Sequence, residues 1–222
     1  MEPTVHPVDR RPETKQLVII RAGMALLEGE LAMPPSPRGL VLFAHGSGSS
    51  RHSPRNRFVA QALRSEARVG TLLFDLLSAE EEQDDVRTGR LRFDIDLLAR
   101  RLIVATDWAR GRAPCIGYVG ASTGAAAALL GAAVRPNDVA AVVSRGGRPD
   151  LAGYALERVR APTLLIVGGE DSLVLDANRE AMTHLQVETR LDVIPHATHR
   201  FAEPGALGEV ARRTAEWFRR YM

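Results

Sequence analysis

The chain has 222 residues and is 45% apolar, enough to bury the core of one large α/β domain. The net charge is only +2, carried by arginines spread along the chain with Lys15 the only lysine, which argues against a nucleic-acid binder. The single cysteine, Cys115, excludes an intramolecular disulfide and a cysteine-based zinc site, and no apolar run approaches the roughly 18 residues of a membrane span. Residues 1–16 are polar, hold three prolines and lack the apolar core of a signal peptide. They read as a flexible arm ahead of a single domain at 17–222, with a cytoplasmic location expected.

Residues 16–23 and 24–34 read as two strands of an antiparallel hairpin around Gly23. A proline-rich break follows. Residues 40–46 are a continuous apolar run, as in a strand covered on both faces. Residues 53–67 place Phe58, Val59, Ala62 and Leu63 at helical spacing behind Pro54. Residues 69–77 form the next strand, and 78–93 read as a charged loop with Gly89. Ile95, Leu98, Leu102, Ala105 and Trp108 recur at three- and four-residue steps, which predicts a helix over 94–111 ended by Gly111.

Four strand–helix pairs follow, with strands at 114–120, 139–147, 162–171 and 187–195 and helices at 122–134, 151–159, 175–185 and 205–222. Such alternation after a hairpin specifies an α/β fold with about eight strands, a mostly parallel sheet and helices on both faces. Sites in these sheets lie in loops at the carboxyl ends of the strands.

Three of those ends carry chemistry. Gly120-Ala121-Ser122-Thr123-Gly124 joins a strand to a helix, where a sharp turn between small residues can expose a serine hydroxyl. The same features suit an ordinary serine helix cap. Asp171 follows the strand at 162–167 and could orient an imidazole or merely cap the next helix; Glu170 and Asp176 are the other acids nearby. After the last strand come His196 and His199, of which His199 lies deeper in the loop. Together they give the chain order Ser122, Asp171, His199. A fourth loop, with Gly46 and Gly48, could aim the Ser47 peptide N–H, beside that of Thr123, at an oxyanion. No Gly-Lys-Ser/Thr follows it, as a phosphate-binding loop would need.

On these residues the chain resembles the α/β-hydrolase superfamily, and most closely the small, lid-poor branch around dienelactone hydrolase, over about residues 17–222. The resemblance implies a nucleophile at Ser122, a general base and acid at His199, an orienting carboxylate at Asp171, and oxyanion donors at Ser47 and Thr123. It departs from dienelactone hydrolase proper in having serine where that enzyme has a cysteine nucleophile.

The implied activity is carboxylesterase or lactonase chemistry on a small-molecule ester or lactone, with no metal or organic cofactor, no nucleic-acid or membrane partner, and a homodimer as one mode of assembly. Arg51, Arg55 and Asp75 are candidate substrate contacts; a solvated helix start explains the arginines equally well. Two other classes of function remain open on the same residues: an acyltransferase, and a binding protein that retains the fold without turnover.

Overall fold

The computed structural model describes residues 12–222. Eight strands make one sheet: β1 (Thr14–Ala22), β2 (Ala25–Met33), β3 (Leu40–Ala44), β4 (Gly70–Phe74), β5 (Ile116–Ala121), β6 (Val139–Arg145), β7 (Thr163–Gly168) and β8 (Thr189–Ile194). Their spatial order is β1-β2-β4-β3-β5-β6-β7-β8. β1 and β2 form the antiparallel hairpin, β2 joins β4 antiparallel, and every later pairing is parallel. Because β1 starts at Thr14, residues 14–16 belong to the sheet and not to the expected arm; residues 1–11 of that arm lie outside the described residues.

Helices cover both faces. These are α1 (Pro54–Ala62, continued by a π turn at Leu63–Ala67), α2 (Ala79–Thr88), α3 (Ile95–Ala109), α4 (Thr123–Val134), α5 (Ser172–His184) and α6 (Ala206–Tyr221). Successive side chains of a strand point to opposite faces, so β3 feeds two cores. Leu40 and Leu42 belong to the core cluster shared with α3, α4 and α5, while Val41 and Phe43 belong to the one shared with α1 and α6. With both faces covered, β3, β4, β5 and β7 are buried at every residue, which is why they read as unbroken apolar runs. Among the described residues no helix is long and apolar enough to cross a membrane.

The segment 78–93 corrects the sequence expectation. It is no loop: α2 occupies most of it. The Ser78 side chain accepts from the Glu81 N–H while the Glu81 carboxylate accepts from the Ser78 N–H, and Gly89 closes the helix with φ 63°. This reciprocal cap is written in the sequence as Ser78 followed three residues later by Glu81. The helix hides because its residues, mostly acidic and polar, give no apolar stripe. Fully buried Asp85 ties it down, accepting from the Leu91 N–H (2.6 Å) and from Arg92 Nε (2.5 Å).

Between β6 and β7 the chain makes only the 3-10 segment Pro149–Arg158, kinked at Gly153, so little of a lid stands over the sheet. Replacing Ser78 with alanine removes one half of the cap and is expected to lower stability by about 1 kcal/mol, read as a lower urea midpoint at unchanged slope.

Candidate active site

β5 ends in an abrupt reversal. Ser122 stands between β5 and α4 with φ 50° and ψ −122°, a conformation that L side chains rarely adopt. It occupies the cap position of α4, yet its side chain makes no capping hydrogen bond. The turn is possible only with glycine on either side. A Cβ on Gly120 would stand 2.4 Å from Ala125 Cα, and one on Gly124 would stand 2.2 Å from the Ala44 carbonyl oxygen. α4 thus lies directly against β5 and β3, and its alanines, Ala125 to Ala128, are fully buried.

Asp171 shows the same departure from ordinary capping. It stands at the cap position of α5, which starts three residues earlier than its apolar pattern suggests, and its side chain does not cap that helix. Instead His199 Nδ1 lies 2.7 Å from Asp171 Oδ2. Main-chain bonds lace the two loops together: the Gly169 N–H donates to Ile194 O (2.8 Å) and the Glu170 N–H to Ala197 O (3.0 Å). His196 is 93% exposed and lies 3.8 Å from Glu170, away from this pair. Ser122 and His199 line one open cavity of about 240 Å³, together with Gly46, Ser47, Arg55 and Arg145.

The loop after β3 rests on His45. Its imidazole is buried, accepts from the Leu76 N–H at Nε2 (3.1 Å), and turns Nδ1 to the Gly46 carbonyl (3.0 Å). Those partners fix the neutral form with its proton on Nδ1. Burial holds its pKa below the ordinary 6.5, with the Gly46 bond opposing.

Not every expected site residue is available. The Ser47 N–H donates to Thr123 Oγ1 (3.0 Å), so it is engaged and must leave that hydroxyl before it can reach an oxyanion. The Thr123 N–H, at the first position of α4, has no acceptor within its helix. Arg51 and Asp75 pair with each other: the Arg51 N–H donates to Asp75 Oδ1 (2.7 Å), and its guanidinium bridges Asp75 and Glu28. Both line a neighbouring cavity and not that of Ser122. Arg55 does line the Ser122 cavity. Arg145 and Arg200 line it too, although the sequence reading does not single them out. Arg145 could have been found as the one charge closing an otherwise apolar strand.

A lid-poor α/β sheet with a serine at the strand–helix elbow, followed in chain order by a hydrogen-bonded Asp–His pair on later strand ends, has the layout of an α/β hydrolase. The dienelactone hydrolase family model matches residues 78–222. The crystal structure of dienelactone hydrolase from Anabaena variabilis matches with a TM-score of 0.92 and 54% identity, covering 95% of this chain and 99% of that one. The chain belongs to the dienelactone hydrolase family. A Mycobacterium tuberculosis protein provisionally named a phosphoribosyl transferase is 52% identical over 212 residues, which is 94% of this chain and 46% of that protein. The chain therefore spans about half the length of the curated relatives it matches. A lidless α/β serine hydrolase from Xanthomonas campestris shares the fold at 20% identity, with a TM-score of 0.76 and 98% of each chain covered.

Gly124→Ala sets a methyl group against main-chain atoms and is expected to cost at least about 3 kcal/mol or to prevent folding. Gly131→Ala, on the same helix with its nearest atom at 3.4 Å, is expected to be neutral or stabilising by up to about 1 kcal/mol in the same urea titration. His45 supplies a pH signature. Its folded pKa is depressed, so its contribution is full above pH 6.5 and is lost as the pH falls below that value, where only the unfolded state gains the proton. Unfolding free energies between pH 7 and 5 are expected to fall less steeply in His45→Gln than in the wild type, by up to about 1.4 kcal/mol per pH unit.

Proposed function

We propose that this protein is a serine hydrolase that cleaves small esters or lactones through an acyl-enzyme on Ser122. The observation that carries the reading is the 2.7 Å contact of His199 Nδ1 with Asp171 Oδ2, in a histidine that lines one cavity with the elbow serine. An imidazole held this way keeps Nε2 free to act as a base.

Ser122 Oγ adds to the carbonyl carbon while its proton passes to His199 Nε2. The Asp171 carboxylate stabilises the imidazolium. Collapse of the tetrahedral adduct breaks the ester C–O bond, and His199 returns the proton to the departing alcohol oxygen. Water then adds to the acyl carbon, losing its proton to the same nitrogen, and the acid leaves as Ser122 Oγ takes that proton back. The oxyanion is met by the Thr123 N–H at the start of α4 and by the Ser47 N–H once it has exchanged Thr123 Oγ1 for the substrate.

The open cavity and the short 149–158 segment suit small substrates over long acyl chains. The transferase name of the longer relatives is not carried over. The chain matches less than half of their length, and over that length it has a hydrolase fold.

A short-chain activated ester and a fluorophosphonate probe test this reading. Wild-type protein is expected to turn over the ester and to be labelled at one site. Ser122→Ala should lose both, and Asp171→Asn and His199→Gln should lose roughly 10³–10⁴-fold in kcat. Equal turnover and equal labelling in wild type and Ser122→Ala would sink the assignment.

A further inference from the structure

Arg145 closes β6 opposite Ala121 of β5, and its carbonyl accepts from the Ser122 N–H (3.4 Å). Its side chain is more than nine-tenths buried and lines the Ser122 cavity. Nη2 donates to Asn56 Oδ1 (2.9 Å), but Nη1 has no hydrogen-bond partner. Other buried or part-buried arginines among the described residues differ: Arg101 meets Glu81, Arg64 meets Glu13, and Arg51 meets Asp75. Among the described residues no carboxylate pairs with Arg145. Burial first, and repulsion from Arg55 second, push its guanidinium down to about 10, which still leaves it cationic at neutral pH.

Burying a charge without a counter-charge is strongly unfavourable unless something brought to the site compensates it. Two more arginines line the same cavity, Arg55 from α1, whose charge repels that of Arg145, and Arg200 from the loop after β8. Neither is held by an ion pair among the described residues, and no acidic side chain lines the cavity. The charge is therefore left uncompensated beside the nucleophile.

We propose that Arg145, Arg55 and Arg200 form a subsite for a phosphate monoester carried by the substrate, next to the ester bond that Ser122 attacks. The proposal rests on the serine hydrolase reading above. A phosphate monoester brings close to two negative charges and three strong acceptor oxygens, which three guanidinium groups arriving from three elements can each meet. A carboxylate brings one charge and two oxygens, and leaves guanidinium charge unmatched.

Three acetate esters of similar length separate the possibilities: acetoxyethyl phosphate, acetoxypropionate and ethylene glycol monoacetate. The expected order of kcat/KM is phosphate above carboxylate by roughly tenfold and above the neutral ester by roughly a hundredfold, chiefly through KM. In Arg145→Met and, should that variant fail to fold, in Arg55→Met, the ratio of phosphate to neutral ester should fall at least roughly tenfold. Arg145→Lys should recover part of it. Titration calorimetry of the intact protein with inorganic phosphate should give saturable one-to-one binding that is weakened in the same variants.

A carboxylate ester equal to or better than the phosphate ester would overturn the proposal, as would a phosphate preference that survives both arginine variants. Ser122-dependent hydrolysis of all three esters at similar rates would overturn it while leaving the hydrolase reading intact. Should no ester be turned over, the calorimetric titration still decides it, and absence of saturable phosphate binding would refute it.

Discussion

The close approach of α4 to the strands beneath it governs the rest of the site. An alanine-lined helix starts directly from the end of β5, and the chain reverses within one residue, Ser122. There is no room for a side chain at Gly120 or Gly124, because main-chain atoms occupy the place where a Cβ would stand. A strained residue of this kind costs on the order of 1–3 kcal/mol and persists only where the surroundings over-determine it. Here they do: β5 is the central strand, paired on both sides, and both sheet faces are covered. The interior that holds the sheet together thus also holds the serine side chain away from the capping hydrogen bond that its own chemistry favours.

The other parts are fastened to neighbouring strand ends by different means. The loop after β3 is set by a buried neutral imidazole, His45, which joins it to the end of β4. The Ser47 amide is parked on the Thr123 hydroxyl, so the two expected oxyanion donors are coupled before any substrate arrives. The positive charge near Ser122 is not balanced by an ion pair among the described residues, in contrast to Arg51, which spends its guanidinium on Asp75 and Glu28. Two arginines only four residues apart in sequence, Arg51 and Arg55, therefore belong to different cavities with different chemistry.

Much of this architecture was legible in the sequence, and the parts that were not share a cause. Strands buried on both faces and the amphipathic α3 announce themselves through apolar patterning, and the parallel order follows from their alternation with helices. α2 is hidden because a helix of mostly acidic and polar residues has no apolar period; its cap, Ser78 with Glu81, is local chemistry that the sequence does carry. The choice of His199 over His196 could be argued from position along the loop. The pairing of Arg51 with Asp75 could not be, since it depends on how the end of β4 meets the turn before α1. Arg145 is a tertiary feature as well. A charged residue at a strand end is unremarkable until the fold shows that, among the described residues, no carboxylate accompanies it into the interior.

The lacing between the β7 turn and the β8 loop has a further consequence. Gly169 and Glu170 donate main-chain N–H groups to Ile194 and Ala197, so the spacing of Asp171 and His199 is set by peptide groups and not by the side chains between them. Residues 196 and 198 are exposed, and their side chains make none of these main-chain bonds. Such a loop can drift in sequence, or be diversified in the laboratory, while its acid–histidine geometry stays put. The rim of the cavity becomes a place where sequence can change independently of the Asp171–His199 contact, because the two are written in different parts of the same polymer.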